Sequence, residues 1–225
     1  MQKIAVIVAG GSGVRMGMAI PKQFLMLHEK PILMRTLEAF AHYDQQLQIV
    51  LVLPEAEKDR WQQLCEKYHF QIPHLIISGG ANRTASVRNG LNAIHFSEAL
   101  VAIHDGVRPL VSQKIIHQSF QEAEAKGNAI VSVPLKDSIR WSVKQSNKAV
   151  DRSEYRLIQT PQTFKLSLIK EAYANLGAEM MSDDASVLEA SGVTINLIEG
   201  DYKNIKITTK EDLRVAEALW SSLPS

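Results

Sequence analysis

The sequence predicts an α/β fold: a Rossmann-like, mostly parallel sheet with helices on both faces and a protruding β-hairpin arm. Three observations predict it. Unbroken apolar runs of strand length recur along the chain, helix-length patterns separate them, and the first run opens directly into a glycine-rich turn. Strands buried on both faces read as continuous apolar runs, and intervening helices supply the crossovers that parallel strands need.

The runs are IAVIVA (4–9), IVLVLP (49–54), HLIIS (74–78), ALVAIHD (99–105) and AIVSVP (129–134). Helices fit 32–43, 55–69, 82–95 and 112–126, with Asn82 and Ser112 as N-caps and Gly127 as a stop. The single cysteine, Cys65, shares a helical face with Trp61, Leu64 and Tyr68, so it reads as core packing. It allows no disulfide framework within the chain, which fits a reducing compartment.

From Lys136 the rhythm breaks. DSIRWSV and KAVDRSEYRL are β-prone runs flanking QSN, and they read as a hairpin arm over about 136–156. Such an arm cannot bury both faces on its own chain, so a homodimer is expected. Helices near 166–175 and 183–191, a strand at 194–199 and a last helix at 210–221 complete one domain of 225 residues.

Composition excludes several classes. With 45% hydrophobic and 22% charged residues and a net charge of +1, the chain resembles an average folded globular protein. The balance gives no electrostatic reason to expect nucleic acid or an anionic membrane as partner. No apolar run reaches the ~18 residues that span a bilayer, and MQKIAVIVAGGSG is too short in its apolar part for a signal peptide. A cytoplasmic location is expected.

The glycine turn AGGSGVRMG carries the first chemical signal. After a buried strand, glycines let backbone N–H groups approach phosphate oxygens. No Lys-Ser/Thr pair follows as a Walker loop requires, and Gly11, Gly13 and Gly17 miss the dinucleotide spacing, which argues against a nicotinamide dehydrogenase. Arg15 inside the loop and Lys22 behind Pro21 instead place two cations beside a phosphate cradle. That suits a triphosphate whose α-phosphorus is polarised while pyrophosphate leaves.

Asp105 falls at the carboxyl end of a central strand, where open α/β sheets bind ligands. One carboxylate plus substrate phosphates is a sufficient Mg²⁺ site. The seven histidines show no ligand spacing, so His104 reads as structural, as does Arg108. In GGANRTASVRNGL, Gly80 permits close approach to a flat base and Ser86 offers a hydroxyl, although an ordinary strand-to-helix turn explains both equally. In QTPQTF, Pro161 fixes an extended approach and Thr160 can donate to an acceptor oxygen. Ser182 reads as an N-cap with Asp183 and Asp184 in the first turn, and Asp137, Ser138, Asp151 and Arg152 read as surface polar groups of the arm.

The string G-G-x-G-x-R-M-G-x-x-x-P-K-Q-F resembles the nucleotidyltransferase superfamily of sugar-phosphate activating enzymes. With the later motifs, including EGDYKNIKITTKEDL, the chain resembles the 2-C-methyl-D-erythritol 4-phosphate cytidylyltransferase family of the non-mevalonate isoprenoid route, from Ile4 to the last helix.

The resemblance implies a single nucleotidyltransferase domain that uses CTP, a polyol phosphate and Mg²⁺. Nucleotide contacts fall to Ala9, Gly10, Gly11, Gly13, Gly80, Ser86 and Asp105, with Asp105 on the metal and Arg15, Lys22 and Lys206 as catalytic cations. Asp137, Ser138 and Arg152 would reach from the arm into the partner's site and, with Thr160 and Ser182, hold the acceptor. Ser138 and Ser182 stand where the family usually has Thr, and Ala81 or Asn82 where it often has an acidic residue or Thr. Ribitol-5-phosphate cytidylyltransferases share the glycine loop and the PKQF and TPQTF segments, and a nucleotide-binding module without catalysis is the reading from another class.

Overall fold

The structure, a computed structural model, describes residues 1–10, 20–177 and 181–221. Arg15, Gly11 and Gly13 lie outside the described residues.

The parallel part of the sheet is built from β1 (Gln2–Val8), β4 (Gln48–Leu53), β5 (Leu75–Ser78), β6 (Ala99–Asp105), β7 (Asn128–Pro134) and β11 (Leu197–Glu199). One further strand, β10 (Arg156–Lys165), runs antiparallel between β6 and β7, giving the order β11-β7-β10-β6-β1-β4-β5. A small pair, β2 (Met26–Leu27) and β3 (Lys30–Pro31), precedes the first helix.

Alternate residues of β1 serve two cores, which is why its sequence is apolar from Ile4 to Val8. Ala5 and Ile7 face α1 (Ile32–Tyr43), α2 (Lys58–Lys67) and α4 (Gln113–Lys126). Ile4 and Val6 face α3 (Arg83–Asn92), α5 (Leu166–Asn175) and α6 (Asp184–Ala190). The last helix, α7 (Lys210–Trp220), covers a third cluster with Leu27, Val107 and Ile207. Fully burying side chains of this kind contributes about 1.5–3 kcal/mol each.

Helix ends follow the expected chemistry. Asn82 and Ser112 accept hydrogen bonds from the N–H groups of Ala85 and Ile115, and Gly127 closes α4 at φ 92°. Cys65 packs against the first core beside Leu64 and Tyr68, and burial pushes its thiol up to about 11, as an inert core residue requires.

The arm differs in detail from its sequence reading. Its strands are β8 (Arg140–Val143) and β9 (Ser146–Ala149), joined through Lys144 and Gln145, so the turn sits one residue earlier than QSN. Lys144 adopts φ 52°, the left-handed conformation that a tight hairpin turn demands. The second run does not continue as one strand. Asp151 caps a short 3-10 turn, Arg152–Glu154, and the chain then re-enters the main sheet as β10. Every residue of β8 and β9 is exposed, including Trp141 and Val143.

Ser182 is not the cap of α6. Asp183 takes that place, its carboxylate accepting from the Ser186 N–H at 2.9 Å, because an ionised oxygen is the stronger acceptor at a helix N-terminus. Asp184 stands in the first turn of α6 as read, and it is fully buried there.

Candidate active site

Strand order reverses on either side of β1, which has β4 on one flank and β6 on the other. At this switch point the crevice opens at the carboxyl ends of the strands. Val8 lies level with Asp105 in the β1–β6 register, and the Gly106 N–H donates to the Val8 carbonyl at 2.9 Å. The turn that leads into the glycine loop therefore sits beside the Asp105 carboxylate. On the other flank the Ala9 N–H donates to Val52 O and the Gly79 N–H to Leu53 O, which brings the Gly79–Gly80 turn to the same edge.

A cleft of about 350 Å³ occupies this edge. Of the residues singled out from sequence, it is lined by Ala9, Gly10, Lys22, Gly80, Ser86, Asp105 and Lys206. A second cleft of about 290 Å³ adjoins it and contains Thr160 and Ser182. Asp137, Ser138 and Arg152 line neither: all three are exposed on the arm, where the Arg152 guanidinium donates to the Lys136 carbonyl.

Glycine is required at position 80. A Cβ there would stand 2.5 Å from the Ala85 Cβ, closer than any real contact. Ser86 secures this turn: its Oγ accepts from the Gly80 N–H at 3.0 Å and donates to the Asn82 carbonyl at 2.8 Å. The hydroxyl hydrogen is thus spent on the turn, leaving a lone pair as its remaining capacity toward a ligand.

Asp105 is the electrostatic centre. Its Oδ2 lies 3.1 Å from Lys206 Nζ and accepts from Arg108 Nε at 3.2 Å, while Oδ1 lies 3.8 Å from Arg83 Nε. Burial alone would raise its pKa. Lys206, Arg83 and Arg108 together outweigh that and hold the carboxyl well below the usual carboxylate range, so it is ionised at neutral pH. Lys206 is fixed from both sides by the buried residues Asn204 and Ile207, the latter donating its N–H to Val107 O.

Thr160 lines the second cleft and also supports the site from within. Its Oγ1 accepts from the Asp105 N–H at 3.1 Å and lies 3.1 Å from His104 Nδ1. The other ring nitrogen of His104 faces the Arg108 carbonyl at 3.1 Å, which only accepts. Nε2 therefore carries the ring hydrogen, and Thr160 donates to Nδ1. Burial pushes the His104 imidazole down to about 4, so the ring is neutral and structural, as its sequence context implied. Arg108, also buried, is equally committed, donating from Nη1 to Asn204 O at 2.7 Å.

Sequence reasoning missed Arg83 and Gln23. Gln23 donates to the Ala9 carbonyl at 3.0 Å and so fixes the entry to the glycine loop. Arg83 lines both clefts and forks onto Asp184. Both lie inside motifs that stood out, PKQF and GGANRTAS, but polar side chains in a turn give no sign of their direction.

Among the described residues no group of three or more His, Cys, Asp or Glu forms a metal cage, and no helix is long and apolar enough to cross a membrane.

Comparison with known proteins agrees with this geometry. The family model described as 2-C-methyl-D-erythritol 4-phosphate cytidylyltransferase matches residues 3–222. A relative of that name from Bacteroides fragilis is 48% identical over 219 residues, covering 97% of this chain and 100% of the relative. One from Porphyromonas gingivalis is 48% identical over 223 residues, covering 98% and 99%. The solved 2-C-methyl-D-erythritol 4-phosphate cytidylyltransferase of Thermus thermophilus superposes with a TM-score of 0.81 at 29% identity, over 98% of this chain and 100% of that one. The match spans the stretches that hold the glycine turn, the Asp105 strand and the NIK segment, and the chain belongs to the 2-C-methyl-D-erythritol 4-phosphate cytidylyltransferase family.

Proposed function

We propose that the protein transfers the cytidylyl group of CTP to 2-C-methyl-D-erythritol 4-phosphate. The products are 4-diphosphocytidyl-2-C-methyl-D-erythritol and pyrophosphate, and the reaction serves isoprenoid precursor biosynthesis. The observation that carries this reading is the ionised Asp105, ringed by Lys206, Arg108 and Arg83 where two clefts meet.

The cleft at the glycine turn takes CTP and the adjoining one takes the acceptor. An acceptor phosphate monoester has a second pKa of about 6, so its attacking oxygen is largely ionised at neutral pH and no general base is needed. That oxygen bonds to the α-phosphorus, the bond from the α-phosphorus to the oxygen bridging to the β-phosphate breaks, and pyrophosphate leaves. Lys22, Lys206 and Arg15 neutralise the charge that builds on the phosphoryl oxygens, and the walls of the two clefts align the substrates.

Asp105 fits Mg²⁺. It is ionised, its Oδ1 is less engaged than Oδ2, and Mg²⁺ takes one or two carboxylates plus substrate phosphates. Bound there, the ion would draw charge from the triphosphate oxygens.

The working form is a cytoplasmic homodimer. Arg152, Asp137 and Ser138 lie away from their own clefts on an exposed hairpin, and Trp141, Val143, Tyr155 and Leu157 present apolar surface there. That arrangement supports an arm that completes the acceptor site of a second copy.

The deciding experiment is pyrophosphate release by the purified protein with CTP and Mg²⁺, comparing methylerythritol phosphate, ribitol phosphate and no acceptor. Release with methylerythritol phosphate is expected. Release with ribitol phosphate alone would overturn the substrate assignment, and CTP binding without release from any polyol phosphate would overturn the reaction.

A further inference from the structure

Three side chains line both clefts: Asp105, Lys206 and Arg83. In a two-substrate transfer the reacting atoms approach to about 3–3.5 Å before bond formation, so the new bond belongs at the seam these side chains share. Asp105 and Lys206 already have roles in the proposed reaction, and Arg83 has none.

Arg83 is the first residue of α3, and a carboxylate from another element fixes its direction. Nη1 donates to Asp184 Oδ1 at 3.0 Å and Nη2 to Oδ2 at 2.6 Å, an end-on fork that holds the guanidinium plane. Asp184 is fully buried at the start of α6, and the Tyr173 hydroxyl of α5 donates to its Oδ1 at 2.6 Å. One partner of the ion pair is sealed in the core, while the Arg83 side chain keeps 29% of its surface open where the two clefts meet. A pair built for stability alone gains little from this arrangement, since desolvation offsets much of the attraction. With both Nη groups held by Asp184, the Nε edge is the one turned to Asp105, at 3.8 Å from Oδ1.

We infer that Arg83 contacts the phosphates at the seam of the two clefts, donating to the oxygens of the acceptor phosphate and the α-phosphate as they join, with Asp184 and Tyr173 as the positioning residues that aim it. The inference rests on the cytidylyl-transfer reading and adds a residue to that site. A lysine carries the same charge but lacks the planar fork, so it cannot both satisfy Asp184 and present a second donor edge.

The test uses the full-length protein carrying Arg83→Lys, Arg83→Gln or Tyr173→Phe. Pyrophosphate release gives kcat and the acceptor KM, calorimetry gives CTP affinity, and thermal melts establish that each variant is folded at the assay temperature. Both Arg83 variants should lose about 10²–10³-fold in kcat, as when a donor to a developing charge is removed, with a raised acceptor KM and CTP affinity within about threefold of wild type. Tyr173→Phe, which keeps the ion pair but loosens it, should lose about 3–10-fold in kcat.

Folded Arg83 variants that turn over within about threefold of wild type would overturn the inference, leaving Arg83 as a strut between α3 and α6. A loss confined to CTP affinity would overturn it too. The wild-type acceptor profile keeps the two claims apart. If another polyol phosphate is the substrate, the substrate assignment fails, while the variant-to-wild-type ratio on that acceptor still decides the role of Arg83. A wild type silent with every polyol phosphate overturns both.

Discussion

Lys206 Nζ lies 3.1 Å from Asp105 Oδ2, although 101 positions separate the two residues in sequence, and the exposures of the pair differ sharply. The Lys206 side chain is 39% exposed and that of Asp105 is 10% exposed. The two ends of this bridge should therefore respond differently to substitution. Lys206→Ala breaks a partly solvated pair worth at most about 1 kcal/mol and should leave the melting temperature nearly unchanged while kcat falls at least about 100-fold. Asp105→Asn removes the counter-charge of the buried Arg108 and should cost about 3–5 kcal/mol of stability as well as turnover. Thermal melts and pyrophosphate release on the two variants check this, and equal melting temperatures would refute the burial argument.

The turn at Gly80 should be a site where one methyl group matters. Gly80→Ala drives a Cβ against Ala85, so the start of α3 must shift, and with it Arg83 and the wall of the cleft. CTP affinity should fall about tenfold or more, equivalent to ~1.4 kcal/mol. Ser86→Ala leaves the Gly80 N–H to water, since Gly80 is exposed, and should weaken CTP about threefold, worth ~0.6 kcal/mol. Calorimetric titration with CTP ranks the two, and the reverse ranking would show that the hydroxyl, not the turn, holds the nucleotide.

These residues differ in how far sequence discloses them. β6 was legible because both its faces are buried in apolar cores, so ALVAIHD reads as a strand and places Asp105 at its end. β10 was not. Gln159, Thr160, Gln162 and Thr163 are all buried in it, and each is satisfied by a partner far along the chain: Thr163 donates to Ser119 and Gln162 to Asp183. A strand whose inward side chains are polar has the composition of a loop. Asp184 was placed correctly in a first helical turn, but its pairing was not legible, since nothing local points to an arginine 101 positions away. The arm was legible in outline because its β-prone runs lack the continuous apolar character of the core strands, but the position of its turn depended on the backbone of Lys144.

Acid should destabilise the fold through two neutral histidines. His74 accepts from the buried indole N–H of Trp61 at 2.9 Å, while its Nδ1 faces the Ile72 carbonyl at 2.7 Å, so the folded ring carries its hydrogen on Nδ1. Burial lowers its pKa from 6.5, and the Ile72 hydrogen bond offsets this only in part; His104 is pushed down to about 4 in the same direction. Above pH 6.5 both rings are mostly neutral in the folded and unfolded chains. Below it the unfolded chain takes up protons first, so stability falls with pH, by up to about 1.4 kcal/mol per unit for each histidine, until the folded pKa is reached. His74→Gln keeps an acceptor for Trp61 and removes the titration, so urea midpoints between pH 7.5 and 5 should decline less steeply than in wild type. An unchanged slope would remove His74 from the account.

The arm gives a prediction that no single-chain mechanism makes. Lys22 lines the nucleotide cleft of its own chain, whereas Arg152 lines neither cleft there. If Arg152 serves the partner's acceptor site, Lys22→Ala and Arg152→Ala homodimers each lack one component at both sites. In a mixed dimer one site loses both residues and the other regains both. Equal amounts of the two inactive variants, mixed and allowed to exchange subunits, form mixed dimers as about half of the population, each with one intact site, so activity should return to about a quarter of wild type. Sedimentation establishes that dimers are present, and turnover before and after exchange measures the recovery. No recovery from exchanging dimers would place Arg152 on the acceptor of its own chain, or on none, and a monomer at assay concentration would remove the trans site altogether.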